Sequence, residues 1–192
     1  MTTPGYCLFD TAVGAVAVAW SERGLKGVQL PEADAGRTRA RMARRYPDAV
    51  EGEPPATIAE AIVGIAALVG GEARDLDDIV LDTEGLEAFP LRVYQVARTI
   101  PPGQTLTYGE IAGRIGEPGA ARAVGEALGR NPFAIVVPCH RVLAAGGKLG
   151  GFSANGGVVA KLRLLEIEGA QIGEPAPLFD DLPVAIKPPR RR

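Results

Sequence analysis

The 192-residue sequence predicts an α+β protein, a small N-terminal antiparallel sheet-plus-helix unit followed by a mostly helical unit built on a helix-turn-helix. Three observations carry this reading. Short β-prone runs alternate with turn residues over residues 7–30, apolar residues then recur at helical spacing, and the charge divides along the chain. Hydrophobic residues at 46% and charged residues at 23% give a globular composition and argue against wholesale disorder. The formal net charge of −2 conceals an asymmetry. Residues 1–89 carry 8 Lys and Arg against 15 Asp and Glu, residues 90–170 carry 9 against 5, and residues 171–192 carry 4 against 3. The acidity belongs to the N-terminal half, so the C-terminal half is the one able to meet a polyanion, although random scatter of surface charge is the plainer reading of these counts alone.

The N-terminal elements follow in order. Cys7–Asp10, Gly14–Trp20 and Leu25–Leu30 read as an antiparallel meander. Asp34–Tyr46 is Arg-rich and reads as an exposed helix. Pro55–Val69 carries Ile58, Ile62, Ile65 and Leu68 at helical spacing, and Ile79–Leu81 is a candidate strand. The acidic stretch Glu72–Glu87 reads as a link, so the expected units are 1–88, 89–170 and a tail, 171–192, whose last six residues read as basic and disordered.

Residues 1–5 lack the basic and apolar regions of a targeting signal, and the most apolar stretch, residues 61–70, is about half the length that spans a bilayer. A cytoplasmic, reducing compartment without membrane contact is expected. Cys7 and Cys139 cannot form a disulfide framework, and a lone histidine, His140, rules out a His-rich metal cage. No metal and no cofactor are expected.

From Phe89 an apolar stripe runs to Ile100 and stops at Pro101-Pro102-Gly103. Thr107 has the placement of an N-cap with Glu110 as its capping-box partner, opening a helix over Tyr108–Ile115. Gly116–Gly119 makes a turn, and Ala120–Gly129 forms a second helix with Ala121, Val124 and Leu128 inward. Two short helices around a Gly-bearing turn resemble a helix-turn-helix, although any αα-corner looks similar. Ala120, Ala121, Ala123 and Gly125 leave the second helix slim, with Arg122 as its long basic side chain, so it can approach a groove closely.

The apolar run Ile135-Val136-Val137 reads as a buried strand that delivers the chain to Pro138-Cys139-His140-Arg141-Val142. A thiol becomes a strong nucleophile when a neighbouring base or cation favours the thiolate, and His140 and Arg141 offer both. Adjacent residues on an extended chain point apart, however, so His140 needs a bend or a bridging water to act on Cys139. A buried cysteine beside a surface histidine is the plain alternative.

These residues resemble the O6-alkylguanine-DNA alkyltransferases, the methylated-DNA–protein-cysteine methyltransferases. The family's motifs occur in order: Tyr108-Gly-Glu-Ile-Ala, Arg122-Ala-Val-Gly, Asn131-Pro132, Pro138-Cys-His-Arg-Val142, Gly151-Phe152-Ser153 and Lys161-Leu-Arg-Leu-Leu-Glu-Ile-Glu168-Gly. The resemblance is dense over residues 89–170 and loose over 1–88, and it implies an RNase H-like first domain and a winged-helix-like second one. It further implies DNA repair by irreversible, stoichiometric transfer of an alkyl group from O6-alkylguanine, and from O4-alkylthymine as a further candidate, to Cys139. His140 is then the base and Glu168 its orienting carboxylate, with Glu166 two residues away as the competing acid.

The same resemblance makes Arg122 the side chain that fills the stack left by a flipped base, entering from the minor groove of double-stranded DNA. It places Tyr108, Ala123, Gly125 and Arg141 at the DNA and makes Asn131 the brace of the turn before the cysteine. Val142, Leu149, Phe152, Ser153 and Lys161 then surround the base pocket, and a monomer associated with the bacterial nucleoid is implied. Three departures stand out. Phe152 replaces a common tyrosine, residues 154–157 form a longer loop, and the small Ala134 implies a roomier pocket for bulky alkyl groups. Cys7 alone cannot repeat the N-terminal zinc site of some relatives. Two rivals are an alkyltransferase-like damage sensor, which usually lacks the acceptor cysteine, and a cysteine hydrolase, for which no oxyanion motif is present.

Overall fold

The computed structural model describes residues 3–170, so the basic tail lies outside the described residues. Three strands, β1 (Gly5–Thr11), β2 (Gly14–Ser21) and β3 (Gly24–Gln29), form the expected meander, with β1 and β3 both antiparallel to β2. Its hairpin turns are tight because Gly14 and Gly24 take φ of 115° and 132°, the left-handed region where a side chain is strained. Helix α1 (Ala35–Arg45) is capped by Asp34, whose carboxylate accepts from the Arg37 N–H, and Arg44 and Arg45 end it where cations suit the helix dipole. The sequence reading lacks β4 (Val50–Glu51), a two-residue strand that pairs parallel to β1 and makes the sheet order β3-β2-β1-β4. Its exposed residues and shortness give no alternation to detect. Helix α2 (Ala56–Val69) buries Ile58, Ile65 and Leu68 as its spacing predicts.

The acidic link is packed rather than loose. Leu76 and Ile79 are buried, and Ile79–Leu81 makes a single bridge, Leu81 to Leu25, in place of the expected strand. Asp82 is 5% exposed and gathers the Ser21 hydroxyl at 2.7 Å and the Arg23 guanidinium at 3.1 Å. From helix α3 (Ala88–Arg98), Arg98 Nη2 reaches the carbonyls of Leu76 and Asp77 at 2.9 Å and of Ile79 at 3.1 Å. Charge-assisted bonds of this kind satisfy carbonyls that no secondary structure pairs.

A two-residue strand β5 (Leu106–Thr107) leads into α4 (Tyr108–Arg114), and Thr107 with Glu110 forms the predicted capping box. Helix α5 (Ala121–Gly129) buries Val124, Ala127 and Leu128 against α3 and α4. The apolar run after it is not a strand. Residues 133–137 form a buried turn closed by the Val137 N–H donating to the Phe133 carbonyl at 2.8 Å, and Ile135 takes φ of 73°. A β-branched residue in that region is strained, and the surrounding core holds it there. A 3-10 turn, Cys139–Arg141, runs into β6 (Val142–Leu143), which pairs parallel to β5, and α6 (Gly157–Ile167) packs on that turn.

One apolar core runs from Val16, Trp20, Leu25 and Val28 through Tyr94 and Ile111 to Phe133 and Val137. The Val28 N–H donates to the Pro132 carbonyl at 2.8 Å, which ties the sheet edge to the segment before the cysteine. Arg98→Ala is expected to cost about 2–3 kcal/mol by orphaning the carbonyls of residues 76–79, read as a melting-temperature fall of roughly 4–12 °C. An unchanged melting temperature would show that the link holds itself in place.

Candidate active site

Cys139, His140 and Arg141 sit on a 3-10 turn rather than on an extended chain. Pro138 enters it with φ −80° and ψ 67°, and the Arg141 N–H closes it on the Pro138 carbonyl at 2.9 Å. The three side chains of the turn therefore diverge. Cys139 is half-buried and reached from outside, whereas His140 is 1% and Arg141 5% exposed.

Glu168, at the C-terminal cap of α6, meets both buried side chains. One carboxylate oxygen lies 2.8 Å from His140 Nε2 and 2.8 Å from Arg141 Nη2, and the other lies 2.8 Å from Arg141 Nε. Arg141 Nη1 donates to the Ile100 carbonyl at 2.5 Å. Glu166 is exposed, so the choice between the two acids falls on Glu168. Burial alone raises the Glu168 carboxyl, but the bonds from His140 and Arg141 and their charges outweigh it and hold the pKa at about 2.

His140 moves down from its ordinary value because burial disfavours the imidazolium, with the charges of Arg141 and Lys161 adding to that and Glu168 opposing it. The ring is therefore a neutral base near pH 7. An ionised Glu168 accepts from Nε2–H, which leaves the lone pair on Nδ1, and Nδ1 is buried without a protein partner. Burial pushes the Cys139 thiol up, and the amide of Asn131, the Lys161 ammonium and nearby backbone N–H groups only partly offset this. The resting group is a thiol that needs a base.

Asn131 braces the turn from both ends, its Nδ2 donating to the Val137 carbonyl at 2.8 Å and its Oδ1 accepting from the Phe133 N–H at 2.9 Å. Two clefts meet at Cys139, Phe152 and Ser153. One, of about 570 Å³, is walled by Tyr108, Ala121, Arg122 and Gly125. The other, of about 500 Å³, is walled by Asn131, Ala134 and arginines of α1. The Tyr108 ring packs beside Gly125, where a Cβ would lie 3.8 Å from it in ordinary contact. Arg122 is 94% exposed at the rim and, among the described residues, is paired only with Glu126 at 3.4 Å. Lys161 is fully buried, donates to the Val142 carbonyl at 2.6 Å and lies 5.9 Å from the Tyr108 ring centroid, and burial lowers its pKa to about 8.

Several expected residues fall elsewhere. Arg141 is not a DNA contact, because its guanidinium is buried and occupied by Glu168 and Ile100. Val142 is fully buried in β6 and contributes its carbonyl rather than a cleft wall. Leu149 is half-buried and walls neither cleft meeting at Cys139. Ala123 is exposed on the other flank of α5, beside Phe89 and Tyr94. The sequence reading missed the arginines of the second cleft, although a helix with five Arg and no acid was their signal.

The fold and site define a helix-turn-helix protein in which the second helix and Cys139 share one cleft. Residues 88–170 match the family model for the DNA binding domain of 6-O-methylguanine DNA methyltransferase. A methylated-DNA–protein-cysteine methyltransferase of Mycolicibacterium paratuberculosis is 49% identical over 67% of this chain and 75% of its own length. One from Methanosarcina acetivorans is 41% identical over 86% of this chain and 98% of its own. The crystal structure of Mycobacterium tuberculosis OGT in complex with DNA superposes with a TM-score of 0.67 at 38% identity, covering 86% of this chain and 92% of that one. The chain belongs to the methylated-DNA–protein-cysteine methyltransferase family. Among the described residues, no helix is long and apolar enough to cross a membrane.

The shifts at the site set an acid limit on stability. His140 binds fewer protons folded than unfolded, so its contribution is complete above the unfolded value of about 6.5 and is lost as pH falls below it. The Glu168 contribution is present above about 4.3 and lost as pH falls towards 2. Urea unfolding across pH is expected to show both phases, and His140→Gln to remove the upper one and to weaken the lower, because His140 helps hold the Glu168 carboxyl down. Retention of the upper phase in that variant would assign it to another group.

Proposed function

We propose that the chain repairs DNA by moving an alkyl group from the O6 of guanine to Sγ of Cys139, once per molecule. The carrying observation is a half-buried cysteine at the end of a helix-walled cleft, backed by a neutral histidine whose far nitrogen is fixed by a buried carboxylate. The thiol proton passes to His140 Nδ1 through a bridging water, and the imidazolium gains the adjacent Glu168 charge. The thiolate attacks the alkyl carbon, forming the S–C bond as the C–O6 bond breaks. Its electron pair leaves on guanine, which takes up the proton. The thioether has no leaving group that water displaces readily, so the protein is consumed.

A paired base cannot reach this sulfur, so the target nucleotide is flipped out of the duplex. Arg122 is permanently charged and planar, which suits it to fill the vacated stack from the minor groove, and slim α5 permits the approach. Tyr108 and Phe152 offer apolar faces to the base, the Ser153 N–H faces O6, and Asn131 and Lys161 hold the floor. In this reading residues 89–170 do the chemistry on one monomer, residues 1–88 support it, and the setting is the cytoplasm at the nucleoid. A non-catalytic sensor has no use for the cysteine at this position.

Incubation with a duplex containing O6-methylguanine is expected to leave one permanent methyl group on the Cys139 peptide by mass spectrometry, and Cys139→Ala to bind without transfer. Tight binding by the wild type with no mass change would replace this reading with the sensor.

A further inference from the structure

The N-terminal half is acidic overall, yet one of its faces is not. Helix α1 carries five arginines and no acid between Ala35 and Arg45, and its side turned towards the active site walls the 500 Å³ cleft with Arg41, Arg44 and Arg45. Arg130, at the end of α5, joins them, and no Asp or Glu lines that cleft. Arg41 is paired with Glu32 at 2.9 Å and Arg130 lies 3.7 Å from Glu126. Arg44 and Arg45 have no carboxylate partner among the described residues, and Arg45 lies over the Tyr46 ring at 5.5 Å. Four guanidinium groups with two partners leave a concentrated positive field that the fold does not neutralise.

We infer that this cleft is a second DNA contact, in which Arg44, Arg45 and Arg130 hold backbone phosphates beyond the stretch that α5 covers. The inference rests on the reading that α5 engages DNA. Arg130 follows Arg122 by eight residues, about 12 Å along the helix at 1.5 Å per residue, or roughly three phosphates of one strand. A strand passing Arg122 therefore comes within reach of Arg130 and then of α1. Planar guanidinium groups suit phosphate oxygens, and such contacts add affinity without reading sequence. The acidic remainder of residues 1–89 then confines DNA to this one edge of the N-terminal half.

The test measures affinity of the full chain for a duplex against salt, together with the rate at which free O6-benzylguanine alkylates Cys139. Arg44→Gln with Arg45→Gln is expected to lower the salt slope by about 1.8 and, with an unchanged intercept at 1 M, to weaken binding about 60-fold at 0.1 M salt. The free-base rate stays unchanged, and the corresponding Lys pair restores the slope. An unchanged slope in the Gln pair, with Arg122→Ala still weakening duplex binding, would overturn the inference and leave the α5 reading standing. Equal loss of free-base alkylation would also overturn it, by moving both arginines into the site. Undiminished duplex binding by Arg122→Ala would instead count against the α5 reading.

Discussion

The buried carboxylate of Glu168 is the constraint on which the rest of the site depends. It is 3% exposed and serves two cationic or cationisable side chains at once. Removing it would strand the Arg141 charge in the core, a loss of about 3–5 kcal/mol for breaking a buried pair. Through Arg141 it ties the end of α6 to the Ile100 carbonyl just past α3, and through His140 it fixes which ring nitrogen is basic. One acid therefore sets both the shape of the turn and its chemistry. Arg141 belongs to this framework.

The second constraint is the turn that presents the cysteine. Ile135 is held at φ 73°, and that strain persists because the side chain is buried and Asn131 clamps the turn at both ends. The Val28–Pro132 bond and the shared core then fix the same turn to the N-terminal sheet. The two halves of the chain are thus joined at the segment that leads into Cys139. The same junction brings the arginines of α1 to the edge of the active-site opening.

Much of this was legible in the sequence because local chemistry specifies it. Thr107 with Glu110 announces the start of α4, glycines announce the hairpins, and a lone histidine beside a cysteine after proline announces the site. What stayed hidden depends on distant partners. The run 135–137 has the composition of a strand, and only Asn131 and the core make it a turn. Arg141 looks like a surface cation until Glu168, 27 residues later, arrives beside it. Strand β4 is two residues long and exists because β1 offers it an edge, and the acidic link is ordered by Arg98 from a helix that follows it.

Glu168 holds His140 as a neutral ring with its lone pair on Nδ1. The protein contains one histidine, so nitrogen-15 NMR of histidine-labelled protein reports that ring alone. At pH 7 a protonated Nε2 and an unprotonated Nδ1 are expected. A doubly protonated ring, or a proton on Nδ1 with Nε2 bare, would contradict this assignment.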